Sequence, residues 1–270
     1  NVHYWNPESN EISPEVLNEV TTVINLAGEN IADSWWTEKK KRKIIESRIN
    51  TVKSLNKLFK TSNFKPNTFI SASAIGFYGD CGEKILNDNS VHGSGFLSEV
   101  CQSWENEIFK MDQSGVRTVA FRIGMVLGHG GGALEKILPP FKLGFGGKLG
   151  NGKQWMSWIH INDLVDMIIK AISAKSIKGS VNAVSPNPIR NQNFTRTLSQ
   201  VLQKPAFLPV PKILLKLGLK DLSDLLLNSQ RVIPNKITES GFKFKYPILD
   251  DALREICSHS FHELEIEQLV

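Results

Sequence analysis

At 270 residues, 41% hydrophobic and 22% charged, the chain has an ordinary globular composition and can bury a full core, as one large α/β domain or as one with a smaller lobe. A net charge of +5 and a pI near 9.0 favour small anionic ligands and are weak evidence for nucleic acid. Three widely spaced cysteines, Cys81, Cys101 and Cys257, suggest neither a disulfide framework nor a zinc site, and no apolar run reaches the ~18 residues that a membrane span requires.

Up to about residue 125, short β-branched runs alternate with helical ones. "VTTVINLAG" (20–28) reads as a buried strand ending in a glycine turn. From Thr37 a long helix is expected, with Ile44, Ile45, Ile49, Val52, Leu55 and Leu58 at helical spacing. "NTFISAS" (67–73) predicts a second strand, residues 95–113 a second helix and "VRTVAFRIG" (116–124) a third strand. That alternation argues for right-handed crossovers and a parallel sheet. Beyond 125 the glycine- and proline-rich stretch 128–154 predicts loops and short elements. A strand end and helix follow at 158–172, and a strand at 180–185. Helices are predicted next at 191–203 and 211–227, then an extended piece at "FKFKY" and a last helix from Ile248.

The second strand ends in "SASAIGFYGD" (71–80), the way many nucleotide-dependent enzymes present a catalytic serine, here Ser73. Other features carry two readings. Gly130–Gly132 before "ALEKIL" could bind an anion at a helix start or form a mobile loop. The basic run Lys39–Lys43 reads as a solvated helix face, Trp35 and Trp36 as packing residues, and His160 as a framework histidine more readily than a base.

"INLAGENI" (24–31), "SASAIGFYGD" (71–80), "FRIGMVLG" (121–128) and "GNGKQWMSWIHINDL" (150–164) occur in the order and spacing of extended short-chain dehydrogenases/reductases. With "LPPFKLGFGGKLGNGKQ" and "SQRVIPNKITESGFKF", nearly the whole chain resembles an atypical, epimerase-like subgroup of the NAD-dependent epimerase/dehydratase family, often labelled nucleoside-diphosphate-sugar epimerases. The resemblance implies a Rossmann-like doubly wound parallel sheet with a small C-terminal α+β lobe: 1–125 the cofactor-binding domain, and 126–270 mainly substrate-side, with about 158–185 returning to the sheet. It also implies that the turn Asn25, Leu26, Ala27, Gly28 lies against adenine and ribose. Arg122, Gly124, Met125 and Val126 would pass beside the nicotinamide, although Arg122 could equally tie down its strand end. The cofactor implied is NADP, with NAD possible.

Two departures stand out. No Gly-x-Gly-x-x-Gly turn follows a strand, and "NVHYW" resembles the family's third strand, so the opening β-α-β unit of ~30 or more residues is expected to lie outside this sequence. The family's usual Tyr-x-x-x-Lys is also missing: aligned from Trp104 and Glu105, its positions fall at Leu97 and Cys101. Tyr78 remains as the phenol near Ser73; with no cation assigned beside it, its pKa would stay near ~10 and suit an acid. Met156-Ser157 stands where nucleotide-sugar enzymes commonly carry Arg-Asp, and Arg190 and Arg231 are the possible substitutes.

The expectation is an oxidoreductase or epimerase-like enzyme, catalytic through Ser73 and Tyr78, with His160, Arg190 and Arg231 on the substrate side and no metal. Its substrate is a small, anionic molecule; no nucleic acid or membrane partner is expected, and the protein would be a cytoplasmic monomer or homodimer. The alternative is a cofactor-binding regulator or scaffold with little or no turnover.

Overall fold

The computed structural model describes residues 2–7 and 12–267, with side chains through Ser258. It divides into two compact units, one of Asn1–Gly79, Val91–Arg122 and Ile168–Val181, the other of Asp80–Ser90, Ile123–Met167 and Asn182–Val270.

The first unit is built on a parallel sheet whose strands run in the order Thr22–Asn25, Thr68–Ala74, Arg117–Ile123, Gly179–Ala183. The first two pair in register Thr22 to Thr68 through Asn25 to Ser71, so the first ends at Asn25 beside Ser71 while the second runs on to Ala74. The helix Glu38–Thr61 begins where the sequence predicts, because the Thr37 side chain accepts a hydrogen bond from the Lys40 amide and caps it. Its inward Val52, Leu55, Leu58 and Phe59 join Phe69 of the sheet and Trp104 and Ile108 of the helix Phe96–Phe109 in one core. Arg117 closes the lower edge, donating to the Ala171 and Ile177 carbonyls and to Thr68. Residues 2–5 form no strand, in contrast to the reading of "NVHYW"; a strand needs a ladder partner, and none is described beside it.

The second unit has its own core of Leu127, Leu134, Phe141 and Trp158, covered by Phe194 and Leu198 of the helix Asn191–Leu202 and by Leu253 and Ile256 of the helix Leu249–Glu267. Its sheets are two-stranded: Met125–Leu127 with Trp158–His160, Ile85–Leu86 with Arg231–Val232, and Trp155–Met156 antiparallel to Ile189–Arg190. The piece "FKFKY" is irregular rather than extended, because the Lys245 and Tyr246 amides turn to the buried Asp163 carboxylate instead of a neighbouring strand. Among the described residues no helix is long and apolar enough to cross a membrane.

Candidate functional site

In the first unit the serine strand ends in a buried polar cluster centred on Glu105. Ser73 Oγ donates to Glu105 Oε1 at 2.7 Å. Arg122 meets the same carboxylate twice, Nε to Oε1 and Nη2 to Oε2, both at 2.8 Å, and Ser180 Oγ donates to Oε2 at 2.8 Å. Arg122 Nη1 also donates to the Tyr78 hydroxyl at 2.9 Å, and its guanidinium lies 3.5 Å from the Phe77 ring centroid. Tyr78 is fully buried, and the Glu105 and Arg122 side chains are 4% and 6% exposed. Burial works against the arginine charge, but the Glu105 pair outweighs it and holds Arg122 more basic than usual.

The two helix positions where the family places its tyrosine and lysine do face this turn. A β-carbon at Gly76 would lie 3.2 Å from Leu97 Cβ and 3.7 Å from Cys101 Sγ. Neither side chain can move a proton at neutral pH: Leu97 has none to give, and burial, with the nearby Glu105 charge, pushes the Cys101 thiol up to about 12.

Of the residues expected on the cofactor side, Asn25, Leu26, Ala27, Gly28 and Arg122 belong to the first unit. Buried Asn25 donates from Nδ2 to Ser71 Oγ at 3.1 Å and accepts the Ala27 amide at 3.3 Å, which fixes the turn. Leu26, Ala27 and Gly28 are left exposed. Behind them Lys40, 8% exposed, pairs with Glu29 at 2.7 Å and Asp33 at 2.6 Å and pins the segment after the turn to the helix Glu38–Thr61.

Gly124, Met125 and Val126 belong to the second unit, where Met125 and Val126 pair with Trp158 and Ile159. Gly124 is required by packing: a β-carbon there would sit 2.6 Å from the Ser157 carbonyl oxygen and 2.8 Å from Val184 Cγ1. Gly124→Ala is therefore expected to lower unfolding free energy by about 1–3 kcal/mol in a urea titration.

His160, 1% exposed, is held on both sides. Its Nδ1 accepts the Asn162 amide at 3.1 Å, which leaves Nε2–H to donate to Glu255 at 2.9 Å, and the ring stacks on Tyr246 at 4.0 Å. Arg190 and Arg231 both lie over the Trp155 ring. Among the described residues there is no group of three or more His, Cys, Asp and Glu side chains able to hold a metal ion.

Sequence reasoning missed Glu105 as the centre of the cluster, and Ser180 entirely. For Glu105 a signal existed. Val100, Cys101, Trp104 and Ile108 define the inward face of their helix, and Glu105 lies on it, so a lone acid there announces a buried partner.

The NAD-dependent epimerase/dehydratase family model matches residues 8–183, and a domain of unknown function, DUF1731, matches 210–256. The chain is 41% identical over 238 residues to the epimerase family protein SDR39U1 homolog, chloroplastic, of Arabidopsis thaliana, covering 87% of this chain and 68% of that protein. It is 39% identical over 241 residues to the epimerase family protein YfhF of Bacillus subtilis, covering 89% and 79%. The crystal structure of human epimerase family protein SDR39U1 (isoform 2) with NADPH superposes with a TM-score of 0.83 at 30% identity, covering 90% of this chain and 83% of that one. The chain belongs to the NAD-dependent epimerase/dehydratase family.

Proposed function

We propose that the protein is an NAD(P)-dependent oxidoreductase or epimerase-like enzyme that prefers NADP(H) and acts on a small anionic substrate. The observation that carries the reading is the fixed turn at Asn25–Gly28. Its one large side chain, Leu26, is 62% exposed at the carboxyl end of a parallel strand, beside two residues with almost no bulk. Ligands of open α/β sheets bind at that end, and an apolar ledge flanked by small residues fits the flat adenine–ribose part of a dinucleotide. The NADPH bound to the human relative supports the choice of cofactor. When bound, such a cofactor supplies or accepts a hydride. This chain's part would be to hold the turn, to hydrogen-bond a substrate carbonyl from Ser73 and to give a proton from Tyr78 or ordered water.

Calorimetric titration of the full-length protein tests the cofactor. NADPH should bind more tightly than NADH, and Leu26→Asp should weaken NADPH about tenfold, or about 1.4 kcal/mol. The melting temperature should not move, because Leu26 is exposed. Absence of NADPH binding, or a Leu26→Asp variant that binds like the parent, would overturn the reading.

One observation favours the second reading, a cofactor-binding regulator with little turnover. Both candidate catalytic hydroxyls are engaged with a buried ion pair, Ser73 with Glu105 and Tyr78 with Arg122.

A further inference from the structure

The helix Lys212–Leu219 of the second unit turns an apolar face outward. Leu215 is its one buried residue, and Ile213, Leu214 and Leu217 share the opposite side. Two loop segments, 143–150 and 205–212, extend this surface, because backbone ties run them side by side. A β-carbon at Gly144 would lie 3.4 Å from Pro205 Cγ, and the Leu208 amide donates to the Gly146 carbonyl at 3.1 Å. Further along, the Val210 amide donates to the Lys148 carbonyl at 2.9 Å, and a β-carbon at Gly150 would lie 3.7 Å from Lys212 Cβ. Leu143, Phe145 and Phe207 of these loops stand as clear of the core as the three helix residues. All six are between 59% and 73% exposed. A continuous apolar surface of this kind marks a place where something else docks.

Charge indicates what docks there. Exposed Lys142, Lys148, Lys204, Lys212 and Lys216 stand on or beside the same loops and helix. None of the five forms an ion pair among the described residues. The sequence has no Asp or Glu between Glu135 and Asp163, nor between Asp166 and Asp221. Asp221 and Asp224 follow the helix, and Asp224 lies near enough to Lys212 and Lys216 to feel both charges. Two aspartates offset only part of five lysines. A second copy of the chain meeting this face about a two-fold axis would set lysines against lysines. Side chains this exposed line no groove in which a partner's helix could lie. A bilayer requires neither. It takes up separate apolar side chains, while lysines lay their stems along it and reach anionic headgroups.

We propose that this face rests on an anionic lipid surface, with the six apolar side chains entering the boundary between headgroups and acyl chains. The leucine-rich stretch 213–227 fails as a membrane span because Lys216, Lys220, Asp221 and Asp224 interrupt it. A helix lying flat in the interface has use for such lysines. The sequence expectation of no membrane partner rested on that missing span, which surface binding does not require. The inference goes beyond the proposed function and does not depend on it.

The test is co-sedimentation of the full-length protein with vesicles of mixed phosphatidylglycerol and phosphatidylcholine. The parent should bind these vesicles, bind phosphatidylcholine alone at least about tenfold more weakly, and lose most of its binding at high salt. Lys212→Gln with Lys216→Gln should weaken binding by about tenfold or more, since each lysine near such a surface contributes about fivefold. Ile213→Gln with Leu217→Gln should weaken it by about tenfold or more as well. All four side chains are exposed, so the melting temperature of either double variant should not move. Lys57→Gln with Lys60→Gln, the same charge change on the exposed side of the helix Glu38–Thr61, should alter binding by less than about twofold. No binding of the parent to the anionic vesicles, equal binding to neutral ones, or normal binding by either of the first two double variants would overturn the proposal. Two other outcomes would overturn it and name a different occupant. A protein that ignores vesicles but forms a dimer dissolved by Ile213→Gln with Leu217→Gln would assign the face to a second copy. One that ignores vesicles but binds polyglutamate through the same lysines would assign it to an acidic protein. No cofactor enters these assays, so their failure leaves the NADPH reading standing, and failure of NADPH to bind leaves this surface standing.

Discussion

Arg122→Met should lower the stability of the protein by about 3–5 kcal/mol, read as a fall in the urea midpoint at unchanged slope. The methionine keeps much of the volume and the contact with Phe77 but strands Glu105. That carboxylate, 4% exposed, would retain the Ser73 and Ser180 hydroxyls and lose both charged bonds. Hydroxyl donors cannot offset the removal of a full charge from water, so most of the cost is an uncompensated buried anion. The double variant Arg122→Met with Glu105→Leu separates this from simple loss of packing. Removing both charges should restore most of the stability, leaving a deficit of about 1–3 kcal/mol for the Ser73 hydroxyl that has lost its acceptor. A single variant costing less than about 1 kcal/mol would show that water reaches the pair, and the low-dielectric picture of the cluster would be wrong.

The elements of this sheet were legible wherever periodicity is long. The helix Glu38–Thr61 announces itself through Thr37 and through Ile44, Val52, Leu55 and Leu58 recurring on one face, and all four are buried. The strand Thr68–Ala74 passes from the bulky Phe69 and Ile70 into small serine and alanine residues, and it pairs over its first four residues with Thr22–Asn25. Two-residue strands offer no such signal. Nothing local in Ile85–Leu86 says that it pairs with Arg231–Val232.

The site was legible in its residue types and not in its partnerships. Ser73, Tyr78 and Arg122 stand out in the sequence, but an ion pair between Arg122 and a helix residue 17 positions away leaves no spacing rule to read. The cation missing from the sequence account of Tyr78 is Arg122, supplied by the neighbouring strand at 2.9 Å. Trp155 likewise looks like one more packing aromatic until its cross-strand neighbour Arg190 and the strand carrying Arg231 are placed beside it.

Single-turnover oxidation of NADPH with a carbonyl substrate found by screening should slow by about 10²–10⁴ in Tyr78→Phe, and by a comparable factor in Ser73→Ala, with NADPH affinity unchanged. The reasoning begins with what a carbonyl oxygen needs as a hydride arrives: a hydrogen bond to the developing charge, and then a proton. Leu97 and Cys101 provide neither, which leaves the two hydroxyls of the Glu105 cluster. For Ser73 to serve, its proton must turn from Glu105 to the substrate. The carboxylate tolerates that loss because Arg122 meets it through two charged bonds. For Tyr78 to serve, negative charge must be left on its oxygen, and the Arg122 N–H that already points at it offsets that charge. Both roles therefore depend on the same arginine, so the double variant should be little slower than the slower single one. Stability must be measured alongside. Tyr78→Phe removes one acceptor from Arg122 and should cost about 1 kcal/mol, far less than Arg122→Met, so a large rate loss cannot be unfolding in disguise. If both variants turn over like the parent, the serine strand is scaffold, its hydroxyls serve only to satisfy the buried pair, and the regulator reading replaces the enzyme.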